Sequence, residues 1–188
     1  MMSAHEDICP WWMGYFLINP LRYLLQDPKK ILSPYLASGM TVLEPGPGMG
    51  YFTLELARQV GVCGRVIVVD VQEKMLSTLR KRAEKAGVSA VIETRLVGPN
   101  GMGLDDLASK VDFTLAFAMV HEVPDADAFL GEIARAMKPG GKLLIAEPGN
   151  HVSEESFAVT ISKAEKAGFR LVDRPVIRWS LTALLERK

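Results

Sequence analysis

Glu44 stands two residues ahead of Gly46, and Gly48 and Gly50 follow at alternate positions. A carboxylate at the mouth of a glycine-rich turn attracts a cationic group, such as an ammonium, and repels a phosphate. The glycines let a ligand approach the backbone, because a side chain would stand in its way. The spacing narrows the ligand further. A dinucleotide fingerprint places its glycines as Gly-x-Gly-x-x-Gly. Counted from Gly46 the last of these positions is Tyr51, and counted from Gly48 it is Thr53. No Gly-Lys-Ser/Thr follows, so the P-loop pattern fails as well. Nicotinamide chemistry is disfavoured on this spacing. S-adenosylmethionine, with an ammonium, a sulfonium and no phosphate, meets the same constraints.

The elements that must hold these residues read as alternating strands and helices. A short apolar strand over 41–45 ends at the acid, and a helix over 51–60 follows the glycines. Strand 65–70 leads to helix 72–86, which stops before Gly87. Strand 90–95 leads to a glycine-rich loop between Gly98 and Gly103 and a short helix. Strand 111–117 leads to helix 125–137. Strand 141–147 leads to helix 153–167, with Ser153 as its cap and Gly168 as its stop. Residues 169–187 read as two strands joined near 175–178. Short apolar strands alternating with helices predict a parallel sheet covered on both faces. A strand, an acid, a glycine turn and a helix then form a ligand corner at the carboxyl edge of that sheet.

Glu44-Pro45-Gly46-Pro47-Gly48-Met49-Gly50 resembles the first motif of the class I S-adenosylmethionine-dependent methyltransferases. Three further segments match that family in order. Arg65–Asp70 is similar to its second strand, with an acid for the ribose. Val111–Phe117, with Met-Val-His-Glu-Val-Pro-Asp over 119–125, is similar to its fourth strand and loop. Residues 137–148, Met-Lys-Pro-Gly-Gly-Lys-Leu-Leu-Ile-Ala-Glu-Pro, are similar to its lysine-proline-glycine-glycine turn and fifth strand. The resemblance covers roughly residues 40–187 and is nearest to the small-molecule branch with quinone-biosynthesis and arsenite methyltransferases. It implies a Rossmann-like, seven-stranded, mostly parallel sheet with a C-terminal antiparallel hairpin, helices on both faces and an N-terminal helical extension.

The resemblance also implies residue roles. Glu44 faces the methionine ammonium, while Gly46, Gly48 and Gly50 let the backbone pass under the amino-acid and ribose parts. Asp70, about 20 residues beyond the glycines, accepts the ribose hydroxyls as an acid does in dinucleotide folds. Val71 and Met75 pack on the adenine. Many relatives place an aspartate after the third strand. Here residues 94–98 read Thr-Arg-Leu-Val-Gly, so adenine recognition falls to the backbone near Leu96 and Val97. Phe117 and Ala118 lie beside the cofactor, Ala118 being small enough to let it approach.

Methyl transfer from a sulfonium is an in-line displacement, and the protein mainly positions the nucleophile. A phenol or amine acceptor also profits from a base. His121 and His151 are the catalytic candidates, with Glu122, Glu147 and Tyr15 as other proton acceptors. His121 reads equally as a spacer that packs on the cofactor. Asn150 and His151 follow the fifth strand and edge the acceptor pocket, unless they form an ordinary turn before the Ser153 cap. Trp11, Trp12, Tyr15 and Phe16 form a dense aromatic group ahead of the core. They read as an acceptor-pocket lid over residues 1–37, or alternatively as core under a helix. An aromatic lid favours an apolar or aromatic acceptor.

The chain divides into that extension, 1–37, and a cofactor-binding domain, 38–188. Its 188 residues suit one such core. Twenty-two basic and 22 acidic residues balance to zero net charge. That argues against a nucleic-acid substrate, which calls for a basic surface. Arg80, Lys81, Arg82 and Lys85 cluster, but Glu73 and Glu84 are interspersed as on a solvated helix face. The two cysteines, Cys9 and Cys63, form neither a disulfide framework nor a metal motif. Two cysteines also speak against an arsenite acceptor. No signal peptide or membrane-spanning run is evident, and a cytoplasmic protein is the simplest expectation. The expected function is S-adenosylmethionine-dependent methyl transfer to a small-molecule acceptor, leaving S-adenosyl-L-homocysteine. A non-catalytic S-adenosylmethionine-binding subunit or sensor is the alternative.

Overall fold

A computed structural model describes residues 26–98 and 101–188. Among these described residues, five α-helices flank one seven-stranded sheet. In chain order the elements are α1 (Pro28–Leu32), β1 (Thr41–Pro45), α2 (Thr53–Val60), β2 (Arg65–Asp70), α3 (Glu73–Lys85), β3 (Ile92–Leu96), β4 (Val111–Phe117), α4 (Ala126–Ala136), β5 (Met137–Pro148), α5 (Glu154–Lys166), β6 (Phe169–Asp173) and β7 (Ser180–Arg187). The strands lie in the order β3-β2-β1-β4-β5-β7-β6. The first five are parallel, and β7 runs antiparallel to both β5 and β6. The predicted fold class is thus the observed one.

Strand periodicity sorts the core into two layers, because alternate residues face opposite sides of the sheet. Val42, Val66, Val68, Phe113 and Leu115 pack with Leu56 and Val60 of α2 and Leu76 and Leu79 of α3. Leu43, Ile67, Val69, Leu143 and Ile145 pack with Leu130 and Ile133 of α4 and Phe157 and Ile161 of α5. Glu44 and Asp70 continue the first series, and Glu147 continues the second. The same alternation that fills the core therefore delivers acids to both faces of the sheet's carboxyl edge.

Several boundaries differ from the sequence reading, each for a local reason. The sequence reads Asp27-Pro28 as the cap and first position of a helix running to about Leu36; the Asp27 carboxylate does accept from Lys29 N–H at 2.9 Å, but α1 stops at Leu32. Pro34 supplies no N–H to carry the helical hydrogen-bond ladder onward. α2 begins at Thr53, because Tyr51 and Phe52 complete the glycine turn. α4 ends at Ala136, and Met137 already pairs with Val111 in the sheet. The register then slips, so that Lys142 opposes Phe113 and the Lys-Pro-Gly-Gly segment bulges out between them. β3 starts at Ile92, after a single 3₁₀ turn over Ser89–Val91.

Candidate active site

β1 is where chain progression reverses: β2 and β3 are added on one side of it, β4 and β5 on the other. Such a switch point opens a crevice at the carboxyl ends of the strands. The register pairs of β1 with β4 are Val42–Phe113 and Leu43–Thr114, both short of the strand ends that flank this crevice.

On one side of the crevice Glu44 is buried, and the Thr53 hydroxyl donates to its Oε2 at 2.6 Å. The glycine turn runs above it. Gly46 has φ +63° and donates its N–H to the Val69 carbonyl at 2.9 Å, which ties the turn to β2. Gly48 has φ +55°, and a Cβ built there would meet nothing within 4 Å. Gly50, at φ +82°, is different: a Cβ there would stand 2.9 Å from Leu79 Cγ. Gly48 thus faces open space, and Gly50 lets α3 pack closely under the turn. Arg82 of α3 also donates to the Met49 carbonyl.

Asp70 closes the next corner. Its carboxylate accepts from Gln72 N–H at 2.8 Å and draws on the amides of Gly48 and Val71. Val97 N–H donates to the Asp70 carbonyl at 3.0 Å, bringing the end of β3 alongside. Val71 and Leu96 are exposed, at 45% and 57%, beside this corner. Met75 is buried and offers a ligand little surface. The Phe117 ring lies tilted against that of Phe52, centroids 4.3 Å apart, at the end of β4.

Both acids are tuned by burial. Desolvation pushes the Glu44 carboxyl up to about 8, the Thr53 hydroxyl pulling it back and the nearby Asp70 pushing it further up. Desolvation likewise raises Asp70 to about 6, against the pull of its three amide donors. A buried carboxyl beside an open glycine is the arrangement that a cationic ligand completes.

Past β4 the chain turns sharply. Ala118 adopts φ +54°, a left-handed conformation that costs a non-glycine residue about 1–2 kcal/mol. Its N–H donates to the Ala146 carbonyl at 2.7 Å. The turn brings a 3₁₀ segment, Val120–Glu122, over the end of β5. There Glu147 is buried, its Oε1 accepting from Val120 N–H at 2.8 Å and its Oε2 bonded to His121 Nδ1. Burial pushes the Glu147 carboxyl upward, and the His121 ring with the amides of Val120 and Met119 draws it down. His121 keeps 27% of its side chain exposed. His151 lies across from it, ring centroids 6.4 Å apart. Asn150 borders a groove of about 610 Å³ whose described lining is Gly149, Asn150, Trp179, Ser180 and Leu181.

The structure therefore brings Glu44, the three glycines, Asp70, Val71, Leu96, Val97, Phe117 and Ala118 to one crevice, with His121, His151 and Asn150 at its β5 side. Trp11, Trp12, Tyr15 and Phe16 lie outside the described residues. Sequence reasoning missed two contributors, Thr53 and Trp179, and named Glu147 only as a proton acceptor. Thr53 carried no motif of its own. Trp179, with φ +62°, stands in the β6–β7 connection. Glu147 was counted among bases, whereas it is the buried partner of His121.

A doubly wound sheet with a carboxylate, a glycine turn and a second acid around its switch point defines a class of nucleoside-binding transferases. Residues 36–174 match the family described as "Methyltransferase domain". A ubiquinone/menaquinone biosynthesis C-methyltransferase, UbiE of Escherichia coli, is 34% identical over 110 residues, 58% of this chain and 43% of that protein. The chain thus matches less than half the length of that curated relative. A SAM-dependent methyltransferase from Aquifex aeolicus superposes with a TM-score of 0.83 at 28% identity, covering 95% of this chain and 98% of that one. A SAM-dependent O-methyltransferase from Thermotoga maritima has the same fold, with a TM-score of 0.67 at 19% identity over 86% of this chain and 64% of that one.

The chain belongs to the methyltransferase-domain family, in its S-adenosylmethionine-dependent class. S-adenosylmethionine is its cofactor, and the residues present fit it. Glu44 offers a buried carboxyl that a cationic group would draw into its ionised form, Gly48 an open backbone, Asp70 an acceptor for hydroxyls, and Val71 and Leu96 apolar faces.

Proposed function

We propose that the protein methylates a small, apolar or aromatic acceptor bound on the β5 side of the crevice. The observation that carries this reading is that His121 lies 6.4 Å, ring to ring, from His151, whose neighbour Asn150 borders the groove that the exposed Trp179 also lines. The relative named as a C-methyltransferase of ubiquinone and menaquinone biosynthesis supports an aromatic acceptor. The balanced charge supports a small molecule over a nucleic acid. No helix among the described residues is long and apolar enough to cross a membrane. A cytoplasmic setting accords with the sparse cysteines.

The bound cofactor supplies an activated methyl group on a sulfonium. This chain's residues do the rest. Glu44 binds the ammonium end, Asp70 orients the ribose, and Phe52 and Phe117 exclude water from the crevice wall. His121 and His151 stand where an acceptor proton is removed, and Asn150 orients the acceptor by hydrogen bonding.

The test is turnover with methyl-labelled cofactor against a panel of phenols, quinols and thiols. Methylation of an aromatic member is expected. Binding of S-adenosylhomocysteine without methylation of any member would favour a cofactor-binding subunit or sensor instead.

A further inference from the structure

The geometry points to Glu147 as a positioning residue that turns His121 into a directed base, which makes the acceptor one with an ionisable aromatic hydroxyl. This rests on the acceptor side proposed above. A carboxylate accepts hydrogen bonds and cannot donate one. With Glu147 ionised, the ring nitrogen that faces it, Nδ1, carries the proton. Nε2 is then left with its lone pair. The Glu147 carboxylate is fixed from its other oxygen by Val120 N–H at 2.8 Å, so the ring is aimed by a buried group that cannot drift.

The surroundings were not built for simple packing. Ala118 bears a left-handed strain to swing the 3₁₀ segment over Glu147. The side chain that results is partly open to the crevice, not enclosed in the core. The groups around Nε2 are Glu122, whose Oε1 is 3.9 Å away, and the His151 ring, 6.4 Å between centroids. Glu122 in turn feels Asp70 on the cofactor side.

A thiolate or a metalloid needs no such device. A phenol does, because its neutral oxygen is a poor nucleophile. The acceptor O–H proton passes to His121 Nε2. The electron pair left on the conjugated oxyanion forms the bond to the methyl carbon while the carbon–sulfur bond breaks, its pair remaining on sulfur. The positive charge lost from sulfur appears on the imidazolium, and that proton leaves to water after product departs.

The test uses ¹⁵N-labelled full-length protein. The chain has three histidines, so subtraction with His121→Gln and His151→Gln assigns the ring signals. The expected result is an Nδ1–H tautomer for His121, with a slowly exchanging Nδ1 proton, and its loss in Glu147→Ala. An Nε2–H tautomer in the unaltered protein would overturn the proposal, and that measurement needs no variant to fold. Glu147→Gln is then compared with the unaltered protein on catechol and on thiophenol. A drop in kcat of about 100-fold or more on catechol alone is expected. Equal losses on both acceptors would reveal a merely structural carboxylate and overturn it. S-adenosylhomocysteine binding separates the two readings. Glu147→Gln is expected to retain it, whereas its absence from the unaltered protein would sink the methyltransferase reading itself.

Discussion

The Thr53 hydroxyl donates to the buried Glu44 carboxylate at 2.6 Å, joining the first turn of α2 to the end of β1 beneath the glycine turn. The bond does two things at once. It satisfies one oxygen of a carboxylate that burial would otherwise leave uncompensated. It also fixes the distance between strand and helix across which the cofactor's amino-acid end must fit.

Replacing Thr53 by valine keeps the shape and removes that donor. Glu44 would be pushed further up, and the ammonium would meet a less ionised partner. Affinity for S-adenosylhomocysteine should fall by about 0.5–1.5 kcal/mol, the usual worth of one such bond. Calorimetry of the folded variant checks this; unchanged affinity would detach Thr53 from the site.

The raised acids make a pH prediction with a definite sign. Glu44 moves from 4.5 to about 8, and Asp70 from 3.8 to about 6. Between each pair of values the folded chain holds a proton that the unfolded chain has released. Raising the pH therefore favours unfolding. Stability from these groups is fully present below their unfolded values and is lost as pH climbs, through about 6 for Asp70 and about 8 for Glu44. Each contributes a slope of at most about 1.4 kcal/mol per pH unit. Glu93, held low by Arg65 and Arg95, Asp106, held low by Arg95, and Glu186, held low by Lys142 and Arg170, act in the opposite sense at more acid pH. Urea midpoints of the cofactor-free protein should fall from about pH 5 to about pH 8, and Glu44→Gln should remove the upper part of that fall. Midpoints that rise over this range would contradict it.

Gly48 and Gly50 should separate binding from stability. Alanine at Gly48 meets open space but adopts φ +55°, so folding should suffer by about 1–2 kcal/mol while cofactor affinity falls with it. Alanine at Gly50 adds a clash with Leu79 to the same backbone strain, and should destabilise by about 1–3 kcal/mol more. Paired urea melts and cofactor titrations check the order. Equal stability losses at the two positions would contradict the different roles.

Much of the fold was legible because the alternation that buries Val42, Val66 and Val68 on one side also fixes strand positions. Glu44 and Asp70 were legible for the same reason: each ends such a run. Pro34 and the Lys-Pro-Gly-Gly bulge moved element ends because single-residue backbone limits override apolar periodicity. The Glu147–His121 bond was not legible. It joins residues 26 apart through the left-handed backbone of Ala118, and no local pattern marks an alanine for that conformation. Trp179 was hidden likewise, since only the antiparallel return of β7 along β5 brings it to Gly149.

The most direct measurement is calorimetric titration of the folded protein and its Asp70→Ala variant with S-adenosylhomocysteine, with NADH as the control ligand. Saturable binding of S-adenosylhomocysteine is expected, weakened by about 1–3 kcal/mol in the variant, with no heat from NADH. A natively folded protein that takes up NADH, or that ignores S-adenosylhomocysteine, would contradict the assignment of the Glu44 and Asp70 crevice to this cofactor.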